Sequence, residues 1–223
     1  MSESVTPAMN RAIKEEEAEL HLSPFTLAAL NDFYQEKLFK QDHGGVEEDW
    51  HLSQFWYTSD TSLRLAREAL SSAGPAGRIA CISSPSVYFK LKDLQKFTRP
   101  DISLSLLEFD QRFLTTVGND FVFYDYNKPL ILPAGLPCHS YDVVLADPPY
   151  LNEECLTQVA KTIQLLAKDK IILCTGSILK NKCKEILGLT PSTFVPLHTS
   201  KLGNAFSCFT NFTLTLDEEM PDL

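Results

Sequence analysis

At 223 residues the chain is long enough for one domain with a full core, and its 44% apolar and 22% charged residues are the proportions of a soluble globular protein. Its apolar runs all fall short of the roughly 20 residues that cross a bilayer, and the polar, acidic start reads as neither a signal nor a transit peptide. Twenty basic against 29 acidic residues give a net charge of −9, which disfavours general attraction to nucleic acid and suits a basic protein partner.

Residues 1–22 carry Glu15-Glu16-Glu17-Ala18-Glu19 and few large apolar groups, so this stretch is expected to be disordered. Ser23-Pro24 then opens a helix with serine as N-cap and proline at the first helical position. Leu27, Leu30, Tyr34 and Leu38 form its apolar stripe, and Gly44-Gly45 lies beyond its end. An aromatic-rich stretch follows, Trp50 through Thr58. A second helix, capped near Ser59 or Asp60, sets Leu63, Ala66, Leu70 and Ala73 on one face, with Gly74 in the position of a terminating glycine.

From residue 78 strand and helix patterns alternate. Strands are expected over 78–83, 104–109, 121–124, 142–146 and 170–175, and helices over 86–96, 153–167 and 177–187, with Gly188 after the last. Such alternation predicts a mostly parallel sheet with right-handed crossovers. Two closing strands, 193–197 and 206–212, are separated by a loop too short for a parallel crossover and are expected to pair antiparallel. The pattern predicts a single α/β domain over 23–216, with helices and a covering segment over 23–75, the sheet core over 76–216 and an acidic tail at 217–223. Lys180, Lys182 and Lys184 read as a solvated helix face.

Six cysteines (Cys81, Cys138, Cys155, Cys174, Cys183, Cys208) show no C-x-x-C or metal-ligand spacing. Cys81, Cys174 and Cys208 fall in apolar strand-like runs, where free cysteine behaves as a small buried hydrophobe. A reducing cytosolic setting is expected, without disulfides or a bound metal.

The residues that carry chemistry are expected at strand ends. The run 141–146 suits a strand buried on both faces, and it meets Asp147-Pro148-Pro149-Tyr150. Two prolines cannot continue a ladder, so the strand stops at Asp147, at the edge where open α/β sheets bind ligands. There the Asp147 carboxylate and Pro148 carbonyl can accept hydrogen bonds from an amine, and Tyr150 offers an aromatic face. A turn that merely ends a strand is the plainer alternative. Glu108 and Asp110 stand near the end of the second strand and Asp125 after the third. The first turn, Ser83-Ser84-Pro85-Ser86-Val87, lacks any G-x-G; Ser86 is expected to cap the next helix.

Asp147-Pro148-Pro149-Tyr150 resembles the D/N-P-P-Y/F signature of S-adenosylmethionine-dependent amino-methyltransferases. Together with 52–57, Phe109-Asp110-Gln111-Arg112-Phe113 and 121–127, it resembles, over about residues 22–213, the lysine methyltransferases of translation elongation factor 1-alpha. That family was first labelled N6-adenine DNA methyltransferase on the same motif. The resemblance implies a seven-stranded, mostly parallel, Rossmann-like class I methyltransferase sheet with a terminal antiparallel hairpin and an N-terminal helical extension. It implies S-adenosyl-L-methionine as cofactor and a cytoplasmic enzyme trimethylating a lysine of that basic GTP-binding protein, with no membrane role. It places Asp147, Pro148 and Tyr150 at the reacting amine, with Asp147 also at the cofactor. Asp110, ahead of Glu108, falls to the ribose and Asp125 to the adenine. Ser83, Ser86, Gln54 and Thr58 fall to the methionine end. Phe55, Trp56 and Tyr57, with Tyr150, would wall the acceptor site. An N6-adenine methyltransferase and a non-catalytic cofactor-binding partner subunit are the alternatives, the latter suggested only by the missing glycine loop.

Overall fold

Seven strands form one sheet in the order β3-β2-β1-β4-β5-β7-β6. They are β1 (Arg78–Ile82), β2 (Ser103–Glu108), β3 (Phe121–Phe123), β4 (Tyr141–Ala146), β5 (Ala167–Gly176), β6 (Thr190–Pro191) and β7 (Phe206–Thr210). The first five run parallel, and β7 joins β5 and β6 antiparallel. The computed structural model describes residues 44–133, 136 and 138–217. The helix expected over 23–38, the stretch 1–22 and the tail beyond residue 217 lie outside them.

Five helices accompany the described strands: α1 (Ser59–Ser72), α2 (Pro85–Thr98), α3 (Leu114–Val117), α4 (Glu153–Leu166) and α5 (Lys180–Leu187). α1 buries Leu65, Ala66, Ala69 and Leu70, which share one face at helical spacing, and ends at Gly74, whose φ of +70° suits a residue without Cβ. The sheet separates two apolar clusters. One gathers α1, α2 and alternate residues Ile79, Cys81, Val143 and Leu145; the other gathers α4 with Ala80, Ile82, Val144 and Ala146. Strands buried on both faces explain why β1 and β4 read as continuous apolar runs. All six cysteines are free, five of them buried, and Cys174 stands opposite Cys208 in the β5–β7 register.

One expected strand is corrected. Residues 193–197 make no strand; β6 is the two-residue Thr190–Pro191. Pro191 and Pro196 bring no N–H to a ladder, so pairing with β7 ends where the prolines begin. The connection to β7 is correspondingly longer than expected. It crosses the edge of the sheet, where His198 bridges Tyr57.

Candidate active site

The parallel strands end in register. Asp147 N donates to Ile82 O (3.0 Å), Ser83 N to Leu107 O (2.9 Å) and Tyr124 N to Glu108 O (3.0 Å), so Ser83, Glu108 and Asp147 share one rung at the C-terminal edge, with Tyr124 one residue beyond it. A cleft of about 460 Å³ opens above that rung. It is lined by residues that sequence reasoning singled out: Gln54, Phe55, Trp56, Ser83, Ser86, Glu108, Asp125, Asp147, Pro148 and Tyr150.

The first turn solves its missing glycines locally. Ser83 adopts the left-handed conformation usually left to glycine, with φ of +51°. For a residue bearing Cβ this costs about 1–2 kcal/mol, strain of the kind stored at functional sites. Ser84, not Ser86, is the N-cap residue of α2; Pro85 occupies the first helical position and Ser86 follows it. The Ser84 hydroxyl makes no capping bond and, although buried, closes no hydrogen bond of normal geometry. It lines the cleft beside the N-terminus of a 14-residue helix, where amide groups and the helix dipole favour an anion.

Glu108 and Asp110 part ways. Glu108 lines the cleft and is 7% exposed; one of its oxygens accepts from the amides of Phe109 (2.8 Å) and Asp110 (3.1 Å). Burial pushes its carboxyl up to about 7, with the nearby Asp110 charge adding to the rise. Asp110, which the family resemblance favours for the ribose, does not line the cleft. Its carboxylate holds the Arg112 guanidinium (2.7 Å to Nη2, 2.8 Å to Nε) and the Arg112 amide (2.9 Å), and accepts from Gln54 Nε2 (3.4 Å). The Arg112 pair keeps its carboxyl below the usual range against the opposing effect of burial. Once the strand ends at Glu108, the chain turns and points Asp110 beneath the segment carrying Gln54.

Two other residues singled out in the sequence do not line the cleft. Thr58 was placed at the methionine end, but its hydroxyl caps α1, accepting from Thr61 N (3.2 Å) and donating to Thr61 Oγ1 (3.0 Å), away from the cleft. Tyr57, expected in the acceptor wall, is 1% exposed and lies behind that wall, its ring tilted by 39° against His198 (4.7 Å between centroids). Its hydroxyl faces the Asp147 carboxyl and the Cys174 thiol without closing a bond of ordinary geometry. Trp56, also 1% exposed, does reach the cleft while packing edge-on against Phe113 (6.1 Å), so it serves core and wall together.

Asp147 keeps part of its surface open to the cleft, yet the protein packed around its carboxyl pushes it up to about 8; Glu108 adds to the rise and Tyr57 opposes it. Tyr150 is 36% exposed, with its ring edge-on to Tyr126 at 5.8 Å. Asp125 forms a local turn, accepting from the amide (2.9 Å) and side chain (3.1 Å) of Asn127.

Ser84, Phe109, Tyr126, His198, Leu202 and Asn204 also line the cleft and were not foreseen. Ser84 and Phe109 neighbour residues that were singled out, and proximity alone would have found them. His198, Leu202 and Asn204 arrive from the connection before β7, and no motif marks them. Burial lowers the His198 imidazole to about 4. Among the described residues no group of three or more His, Cys, Asp or Glu could hold a metal ion. None of the described helices is long and apolar enough to cross a membrane.

The family described as "Probable N6-adenine methyltransferase" matches residues 48–214, which span every strand of the sheet. EEF1A lysine methyltransferase 1 of Mus musculus is 50% identical over 206 residues, covering 89% of this chain and 94% of that protein. The Homo sapiens protein of the same name is 46% identical over 211 residues, covering 91% and 97%. Protein-lysine N-methyltransferase M142.8 of Caenorhabditis elegans is 42% identical over 209 residues, covering 87% and 95%. With relatives this similar along nearly their whole length, the chain belongs to the EEF1A lysine methyltransferase 1 family of protein-lysine N-methyltransferases.

Proposed function

We propose that this chain transfers a methyl group from S-adenosylmethionine to a lysine of translation elongation factor 1-alpha, in the cytoplasm, within the cleft at the strand ends. The observation that carries the reading is the shared rung of Ser83, Glu108 and Asp147, opening with Tyr150 into one cavity. The cavity volume of about 460 Å³ lies in the range of small-ligand sites. The residues present fit the cofactor. The buried Ser84 hydroxyl and the amides opening α2 suit a carboxylate, Glu108 has an oxygen left for a ribose diol, and Phe109 and Tyr126 offer apolar faces to a base. S-adenosylmethionine supplies an electrophilic methyl group on a sulfonium sulfur.

The protein's part is to present a neutral amine in line with that methyl. A lysine with a pKa of about 10.4 costs roughly 4 kcal/mol to deprotonate at pH 7.4. An ionised Asp147 would raise that cost by stabilising the ammonium. In the free cleft the Asp147 carboxyl is pushed up to about 8, so it holds its charge less firmly than an ordinary carboxylate, and in either protonation state it offers an acceptor oxygen beside the Pro148 carbonyl. Tyr150 and Phe55 pack on the alkyl stem, and their rings favour a methylated ammonium. The free cysteines support a reducing compartment.

Labelled S-adenosylmethionine, this protein and elongation factor 1-alpha or nucleic acid, followed by protease or nuclease digestion, test the reading. Label on lysine is expected. The family description also names adenine, so label recovered only as N6-methyladenine would overturn the lysine assignment in favour of that acceptor.

A further inference from the structure

Two stretches far apart in sequence cover the cleft, 52–56 and 198–206. They meet in a minimal antiparallel contact: Thr58 N donates to Leu197 O (2.9 Å), Thr199 N donates to Trp56 O (2.8 Å), and Tyr57 and His198 form an isolated bridge. A single bridge is a weak joint, since short two-stranded ribbons are at best marginal in water. Glu48 reinforces it. One of its oxygens accepts from Trp56 N (2.8 Å) and Thr199 Oγ1 (3.2 Å), and the other accepts from Ser200 Oγ (2.9 Å). Hydrogen bonds to an ionised acceptor are about twice as strong as neutral ones.

Glu48 does not itself line the cleft. The same covering stretch is tied on its other side, where Arg112 Nη2 donates to Gln54 Oε1 (3.2 Å) and Glu47 O (3.4 Å) while Asp110 holds the guanidinium. The cover is thus a strap fastened at both sides, to the turn after β2 and to the connection before β7. Of the two fastenings, only the Glu48 one joins cover to cover.

We propose that Glu48 is a positioning residue that clasps the two covering stretches together, holding Gln54, Phe55 and Trp56 against the His198–Asn204 side so that cofactor and lysine stay aligned; this rests on the proposed function of the cleft. Its three partners lie either in the strap or in the connection, so release of this one carboxylate loosens both at once and leaves them joined by the Tyr57–His198 bridge and the Thr199 hydroxyl on Trp56 O (3.2 Å). Misalignment of reacting groups by about 1 Å can cost on the order of 100-fold in rate.

Hydrogen exchange in the free protein reads the clasp directly, whatever the cleft binds. In Glu48→Ala the amides of Trp56, Thr58 and Thr199 should exchange at least about tenfold faster, while those of β4 stay protected. Dissociation of S-adenosylmethionine should quicken about tenfold and kcat should fall by on the order of tenfold or more, whereas Glu48→Gln, which keeps an acceptor for Trp56 N, should recover most of both. Ser200→Ala should add nothing to Glu48→Ala, because the bond it removes is already lost. Unchanged exchange at Trp56 and Thr199 in Glu48→Ala would overturn the clasp. Faster exchange with unaltered cofactor dissociation and kcat would also overturn it, leaving Glu48 a structural residue only. Failure of the wild-type protein to bind S-adenosylmethionine would instead overturn the assigned function of the cleft, with the exchange result still deciding the clasp.

Discussion

The floor and the cover of the cleft are built differently. The floor is backbone: Ser83, Glu108 and Asp147 hang from ladder bonds at the ends of strands whose side chains are almost wholly buried. The cover is irregular chain held by individual side chains, Glu48 on one side and the Asp110–Arg112 pair on the other. Positions on the floor are fixed by the cooperative stability of the sheet, whereas the cover rests on one backbone bridge and a few side-chain hydrogen bonds. Chemistry that needs fixed groups sits on the floor, and access belongs to the cover. Substitutions in the floor should therefore change what the site can do, and substitutions in the cover how long it stays closed.

The largest break expected is at Asp147. Asp147→Ala and Tyr150→Ala should each lower methyl transfer by on the order of 100-fold, the loss expected when groups that orient the acceptor are removed, while cofactor affinity stays within several-fold. Retained activity in both variants would reduce the strand-end motif to a turn. Next comes the contrast between neighbouring acids. Glu108→Ala should weaken S-adenosylmethionine binding by roughly 1.5–3 kcal/mol, the worth of a hydrogen bond to a charged group, read by calorimetry. Asp110→Ala should cost less and act differently, freeing Arg112 and Gln54 and so quickening dissociation. The reverse order would return Asp110 to the ribose.

That contrast also shows what the sequence could tell. Strands betray themselves by apolar runs and stop at prolines or acids, so the sheet, its five parallel strands, the antiparallel β7 and the floor acids were all legible in chain order. The choice between Glu108 and Asp110 was not. It depends on whether β2 ends one residue earlier, and on Arg112 claiming Asp110, a pairing made in space. The Thr58 cap was obscured by two adjacent candidates, Ser59 and Asp60, each an acceptable N-cap by type. Glu48 meets partners 8, 151 and 152 residues away, and no local pattern announces a carboxylate that closes so long a loop. Strand 193–197 was misread because its β-branched and aromatic residues satisfied strand propensity while Pro196 forbade the ladder.

The floor should also announce itself in pH dependence. Burial raises Glu108 from 4.5 to about 7 and Asp147 from 3.8 to about 8. Between their unfolded and folded values the native protein binds more protons than the unfolded chain, so its stability falls as pH rises. The contribution is whole below about pH 4 and lost as pH passes through 7 and 8, on the folded values cited. The Tm of the free protein should decline across that window, and Glu108→Gln with Asp147→Asn should flatten the decline. Binding of a cationic cofactor favours the ionised acids, so calorimetry at pH 6 in buffers of different ionisation enthalpy should record proton release. Identical slopes in wild type and double variant would show that neither acid is held protonated.

The smallest effect expected is at Thr58, and it separates cover from cap. The hydroxyl is fully employed at the start of α1: it accepts from Thr61 N and donates to Thr61 Oγ1, which in turn accepts from Leu197 N (3.0 Å). Its role is to start a helix and, through Thr61, to seat the connection before β7. Thr58→Ala removes the cap at a cost of about 1 kcal/mol. In a chain of this size that lowers Tm by about 2–4 °C. Thr58→Ser keeps the oxygen and should restore the loss. Because the hydroxyl lies away from the cleft, S-adenosylmethionine affinity in the folded Thr58→Ala protein should stay within about twofold, below the smallest loss expected from a broken hydrogen bond to a ligand. A tenfold loss of affinity with Tm preserved would move Thr58 from the helix cap to the cofactor, as the family resemblance implied.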